Sequence, residues 1–270
     1  MRLRGLRFRY PGRAGFRLGP IDVEGPDDRP WLILGRSGAG KSTLLRVLAG
    51  SFRPEAGSIE TAPPGGERAY LPQLPERVLA GRNLAEDLCG NPAPGREERS
   101  RLRNLLVGLG LEGISLGRRS GGLSAGERRR AALGVLVASG TRGWALDEPD
   151  AGLDRGAMER VLGVLRSHLE TNPGRLWIAT HRFERFLGLG PWLLVLDGGK
   201  VAATGAPGEV LGNPDVSDFL ETSGRAAPRL WAEVGKRCPR RVGGGLFEEA
   251  GARGRAETLR SVLRQRAGLS

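Results

Sequence analysis

Residues Gly35-Arg36-Ser37-Gly38-Ala39-Gly40-Lys41-Ser42 constrain this chain more than any other stretch. They match the spacing G-x-x-x-x-G-K-[ST] without a gap. An apolar run, Trp31-Leu32-Ile33-Leu34, comes just before. Leu44, Leu45, Val47 and Leu48 follow at helical spacing. The pattern therefore predicts a strand, a Gly-rich loop and a helix. Such a loop turns backbone N–H groups inward, and the helix adds its positive end, so phosphate is favoured between them. Lys41 suits the β- and γ-phosphates of a nucleotide, and the Ser42 hydroxyl suits Mg²⁺. Thr43 completes the segment. Only three of the 42 basic residues are lysines, and one of them is Lys41. It stands where a compact ammonium is wanted and an Arg fork would not fit.

At 270 residues the chain is one large domain, or one domain with an appendage. Charged residues make up 27% and hydrophobic ones 39%, as in soluble globular chains. No apolar stretch approaches the roughly 18 residues of a membrane span. Met1-Arg2-Leu3-Arg4 opens an alternating pattern without a signal-peptide core, so a cytoplasmic location is expected. Cys89 and Cys238 are too few for a disulfide framework or a zinc site. The formal net charge of +12 reads as an Arg-rich surface. Its basic residues do not interleave with aromatics as a single-strand binder requires, and no nucleic-acid partner is expected.

Leu3, Leu6, Phe8 and Tyr10 alternate loosely on a first strand, and Phe16, Leu18, Ile21 and Val23 mark a second, with a turn at Pro11-Gly12 between them. Short strands are expected at 57–60 and 68–71 around a turn at 63–66, and helices at 83–88 and 97–109. Ser124 is placed to cap a long helix carrying Ala132, Leu133, Leu136 and Val137. Trp144-Ala145-Leu146, 176–179 and 193–196 read as buried strands, with a helix at 155–170 and a hairpin turn at Gly198-Gly199. Alternating strands and helices imply an α/β fold with a parallel sheet covered on both faces. Past residue 222 the composition turns to Arg, Gly and Pro, with one helix expected at 256–266.

Leu146-Asp147-Glu148-Pro149 ends an apolar strand with two adjacent carboxylates. Packing does not explain two acids there. Asp147 can take the Mg²⁺ shell while Glu148 faces an attacking water as general base. Leu123-Ser124-Ala125-Gly126-Glu127 supplies a second helix N-terminus, another place for an anion.

The order of these motifs, with Gln73 after the first, Ala151-Gly152-Leu153-Asp154 after the acids and His181 beyond, resembles the ATP-binding-cassette (ABC) ATPase family over residues 1–222. The family's usual L-S-G-G-Q reads L-S-A-G-E here, with Ala125 and Glu127 as departures. The resemblance implies a P-loop NTPase core with a parallel-rich sheet, an N-terminal antiparallel β subdomain and an inserted helical subdomain at about 76–138. Residues 223–270 would form a basic appendage, either a dimerisation element or partly disordered. It further implies two ATP molecules sandwiched between two subunits, identical or different. Each ATP would lie between one subunit's residues 35–43 and the other's Leu123 to Glu127. Asp154 would lie at the seam, His181 would contact the γ-phosphate and Tyr10 would stack on adenine. Gln73 would complete the Mg²⁺ and water shell and report nucleotide state to a multi-span membrane partner.

Within the family, Tyr70-Leu71-Pro72-Gln73-Leu74-Pro75-Glu76 and Asn83-Leu84-Ala85-Glu86-Asp87 resemble the ATPases of energy-coupling factor importers for vitamins, cobalt and nickel. Glu86 and Asp87 are candidates either for pairing with Arg on a membrane partner or for capping the helix that begins near Asn83. The implied location is peripheral, on the cytoplasmic side of the membrane. Two alternatives remain: an exporter or another importer, and a non-transport ABC ATPase of DNA repair, translation or iron–sulfur assembly.

Overall fold

Two strand patterns build two sheets. The computed structural model describes residues 1–12, 15–61, 66–213 and 216. The expected turn at 63–66 lies mostly, and the appendage at 223–270 wholly, outside the described residues. Strands β1 (Arg2–Arg9) and β2 (Arg17–Glu24) bury alternate residues, among them Leu3, Leu6, Leu18 and Ile21. The loose alternation of the first strand has a local cause. The register shifts between Leu3 and Leu6, where Gly5 takes a φ of 53° and its N–H meets Asp22 Oδ1 at 2.6 Å. Tyr10 falls just past the end of this strand. With β3 (Trp31–Leu34) assigned to another sheet, β4 (Ala56–Glu60) completes an antiparallel sheet of order β2-β1-β4.

The second sheet adds β5 (Arg68–Leu71), β6 (Gly143–Asp147), β7 (Leu176–Ala179), β8 (Trp192–Asp197) and β9 (Lys200–Gly205). Its order is β5-β6-β7-β3-β8-β9, parallel apart from the β8–β9 hairpin. The central strands are apolar throughout because each serves two cores. On β3, Leu32 and Leu34 face one cluster while Trp31 and Ile33 face the other. Alternate residues of β7 and β8 divide in the same way.

Helix α1 (Lys41–Leu48) packs in the core shared with the antiparallel sheet. Helices α2 (Leu84–Cys89), α3 (Arg96–Gly108) and α4 (Ala125–Ser139) lie between β5 and β6 in the chain. They share the other core with α5 (Arg155–Thr171) and the short α6 (Pro207–Leu211). No helix among the described residues is long and apolar enough to cross a membrane.

The start of α2 shows how its acids are engaged within the chain. Asn83 caps the helix by accepting from the Glu86 N–H at 3.0 Å. Glu86 accepts in turn from the Arg82 N–H at 2.7 Å, and Asp87 accepts from the Gly81 N–H at 2.6 Å and from the Ser120 hydroxyl. Both carboxylates are thus engaged locally, which favours the structural role. Asp87→Ala is expected to lower stability by about 1.5–3 kcal/mol, the usual worth of hydrogen bonds to a charged group, as read by denaturant melts.

A second consequence of packing concerns acid. His168 on α5 is buried and stacks on Trp144, with ring centroids 3.6 Å apart. Burial pulls its pKa down from 6.5 to about 4, against weaker opposition from backbone hydrogen bonds. The unfolded chain therefore binds a proton that the native chain refuses. Stability is complete above pH 6.5 and falls as pH drops toward 4, by about 3 kcal/mol at 1.36 kcal/mol per pKa unit. His168→Gln should flatten that part of a plot of melting temperature against pH.

Candidate nucleotide site

The loop between β3 and α1 is shaped by its glycines. Gly35 and Gly40 take φ of 141° and 103°. A Cβ at Gly35 would sit 2.3 Å from the Leu196 carbonyl oxygen, and one at Gly40 would sit 2.8 Å from the Phe16 ring. Only glycine fits either conformation and either space. The β8–β9 turn braces the loop from behind, where the Gly199 N–H donates to the Ala39 carbonyl at 3.0 Å. Arg36, Ser37 and Gly38 are exposed on the rim, Ser42 is half-buried, and Thr43 is buried.

Lys41 is the buried charge of this loop. Its Nζ donates to the carbonyls of Gly35 at 2.8 Å and Arg36 at 3.1 Å. Burial lowers its pKa, while Glu148 and Asp147 oppose that shift. One distant segment, residues 147–148, therefore brings two acids into the field of the loop lysine. Asp147 ends β6, is buried, and accepts the Tyr70 hydroxyl at 2.7 Å. The Tyr70 hydroxyl is held protonated, because burial first and then the neighbouring Asp147 raise its pKa.

Glu148 follows with a φ of 52°, unique among the described non-glycine residues. Such strain in a non-glycine residue costs about 1–3 kcal/mol and collects at functional sites. Its N–H donates to the Ala179 carbonyl at 2.8 Å. Its carboxylate lies 3.4 Å from His181 Nε2. Burial, then Asp150, raises the Glu148 pKa, and Lys41 pulls the other way. A carboxylate with a raised pKa is a stronger proton acceptor than an exposed one.

The other residues singled out in the sequence take definite places. The Tyr10 hydroxyl lies 3.0 Å from Thr43 Oγ1, and its ring meets Phe8 and Phe52 edge-on. Gln73 is exposed, just past β5. Ser124 and Glu127 form a reciprocal cap at the start of α4. The Ser124 N–H meets Glu127 Oε2 at 2.7 Å and holds that carboxylate's pKa below its usual value. The acid at 127 thus finds a helix N-terminus that favours its charge. Ala125 is exposed, Leu123 is buried, and Gly126 adjoins Gly152 and Leu153. Asp154 caps α5, accepting from the Ala157 N–H at 2.8 Å.

A solved structure shares this fold. A dimeric, post-hydrolysis ATP-binding cassette bound to ADP and Pi superposes with a TM-score of 0.65 at 19% identity, covering 76% of this chain and 97% of that one. The family model described as ABC transporter matches residues 18–151. A nickel import ATP-binding protein of Rhodobacter capsulatus is 32% identical over 231 residues, covering 77% of this chain and 90% of that protein. The chain belongs to the ABC transporter ATPase family. It is the ATP-binding, ATP-hydrolysing subunit of such a transporter. The relatives do not share one direction of transport. A cytochrome c biogenesis ATP-binding export protein of Ruegeria pomeroyi is 37% identical over 198 residues, covering 71% of this chain and 86% of that protein.

Three groups beside these candidate residues escaped the sequence reading. Tyr70 appeared only as a strand residue and as the first residue of the 70–76 segment, with no partner assigned. Asp150 and Thr180 form a buried link between the turn after β6 and the end of β7, with Thr180 Oγ1 donating to Asp150 Oδ1 at 2.7 Å. Arg129 was one of three consecutive arginines. Its signal was positional: it heads the apolar stripe of Ala132, Leu133 and Leu136 on α4, where a cation is out of place.

Proposed function

We propose that this chain powers uptake through an energy-coupling factor type membrane transporter for a metal ion or vitamin. Two observations support that branch: the pattern of residues 70–76 and 83–87, and the similarity to a nickel import subunit. The site reading rests on one juxtaposition, Glu148 beside His181 with Lys41 in the same electrostatic field. ATP phosphates would be held by the loop N–H groups and by Lys41. The donor set at Ser42 and Asp147 fits Mg²⁺, an ion usually held by one or two carboxylates plus substrate phosphates. No cluster of three or more His, Cys, Asp or Glu among the described residues suggests an all-protein metal cage. The ion would neutralise phosphate charge, with Gln73 completing its shell. Tyr70 would fix the Asp147 carboxylate in place.

Glu148 would take a proton from water as its oxygen bonds to the γ-phosphorus and the bond to the β-bridging oxygen breaks. His181 would contact the γ-phosphate. Tyr10 would stack on the base, beside Thr43. A second subunit would close the site with Leu123, Ser124, Ala125, Gly126 and Glu127, and would place Asp154 at the seam. A multi-span membrane protein would receive the motion near Gln73, with this chain peripheral on the cytoplasmic face.

Co-expression with candidate membrane components tests the transport branch. Stable copurification and ATPase stimulation by an importer's membrane subunits would support it. Exclusive assembly with an exporter's subunits would favour the second reading, which the similarity to an export protein motivates.

A further inference from the structure

Arg129 is a buried cation in the first turns of α4 that reaches two backbone carbonyls far away in sequence. Its Nη1 donates to the Glu148 carbonyl at 2.9 Å and its Nη2 to the Gln73 carbonyl at 2.7 Å. One planar fork thus joins the helix after the Ser124 cap, the loop after β5 and the end of the carboxylate strand. Lysine cannot present two donors in that fixed geometry.

The Glu148 carbonyl belongs to the single described non-glycine residue with a positive φ. A residue held there returns to an ordinary conformation unless its surroundings oppose it. Besides the Ala151 N–H at 3.2 Å, the hydrogen bond holding that carbonyl comes from Arg129. Burial also leaves Arg129 Nε with no hydrogen-bond partner. Burial is the larger effect and lowers the Arg129 pKa, and the surrounding acids offset part of that cost. Asp150 is the strongest of them, followed by Glu148, Glu76 and Asp147.

We propose that Arg129 is a positioning residue for hydrolysis, holding Glu148 in its left-handed backbone conformation and locking it to the Gln73 loop. This rests on the reading of Glu148 as the general base. Both Nη groups are spent on backbone carbonyls, so the side chain acts through the backbone it fixes. It also gives the helical region a rigid handle on the catalytic carboxylate, so displacement of α4 would move Glu148 and Gln73 together.

A double-mutant cycle tests the proposal. Arg129→Ala should lower kcat about 10- to 100-fold, with KM for ATP within threefold of wild type. Arg129→Lys, which keeps the charge and fills the site, should recover only part of the loss. In a Glu148→Gln background, Arg129→Ala should cost nothing further, because groups acting as one unit are non-additive. If Arg129→Ala proves too unstable to purify, Arg129→Lys carries the same cycle. Unchanged kcat in both Arg129 variants, or a full multiplicative loss in the double variant, would overturn the proposal while leaving Glu148 as base. Near-wild-type turnover in Glu148→Gln alone would remove the base reading, and the proposal with it.

Discussion

Glu148→Gln is expected to keep MgATP binding and to cut steady-state phosphate release by about 10²–10⁴-fold, the usual worth of a general base. The amide preserves size and the local backbone, but it cannot take a proton from water. The environment explains why this carboxylate is suited to the task. It is half-buried behind β6, with a raised pKa, 3.4 Å from His181. The wild-type rate should therefore fall at low pH as Glu148 gains its proton, and that limb should lie above the range of an ordinary exposed carboxylate. The acidic limb should vanish in the variant. In the proposed cycle a closed dimer opens after hydrolysis, so the variant should also accumulate as an ATP-bound dimer in size-exclusion runs. Phosphate release within threefold of wild type would remove Glu148 from the role.

Lys41→Ala should weaken MgATP affinity by at least about 30-fold. Truncating one partner of a buried charge pair costs roughly 2–5 kcal/mol, and each 1.4 kcal/mol is tenfold in Kd. Lys41 is 7% exposed and its ammonium is already held by two loop carbonyls, so little reorganisation precedes phosphate binding. Lys41→Arg should rescue poorly, since a longer planar group does not fit that space. Calorimetry with a parallel melt separates the effects, because the alanine variant also frees the Gly35 and Arg36 carbonyls. Unchanged MgATP affinity in a folded Lys41→Ala protein would contradict the phosphate assignment.

Much of this was legible in the sequence because it depends on local chemistry. The phosphate loop, the paired acids at a strand end and the Ser124 cap are contiguous motifs, and contiguous motifs carry their own geometry. The strand alternation at residues 3–10 read only loosely, because the bulge at Gly5 breaks the period. What stayed hidden depends on chain segments that meet only in the fold. Tyr70 reaches Asp147 across 77 positions, and Arg129 reaches Gln73 across 56. Neither partner could be inferred from spacing. The two acids at 86 and 87 show the reverse case. Their charge suggested a partner, yet hydrogen bonds to groups at 81, 82 and 120 already engage them.

The strand order has a consequence for how the molecule is made. Among the described strands, β3, which leads into the Gly-rich loop, hydrogen-bonds to β7 and β8 alone, with Trp31 opposite Trp177 and Trp192. During synthesis the apolar segment Trp31–Leu34 leaves the ribosome long before either neighbour exists. At about 5–20 residues per second it waits about 7 to 30 seconds without its sheet partners. A nascent chain ending before residue 176 therefore carries every residue of the phosphate loop and no sheet to hold it. Non-local parallel pairing of this kind is slow and exposes apolar edges to aggregation. Nucleotide affinity should emerge late and abruptly in a series of lengthening chains, once 176–197 can add to the sheet.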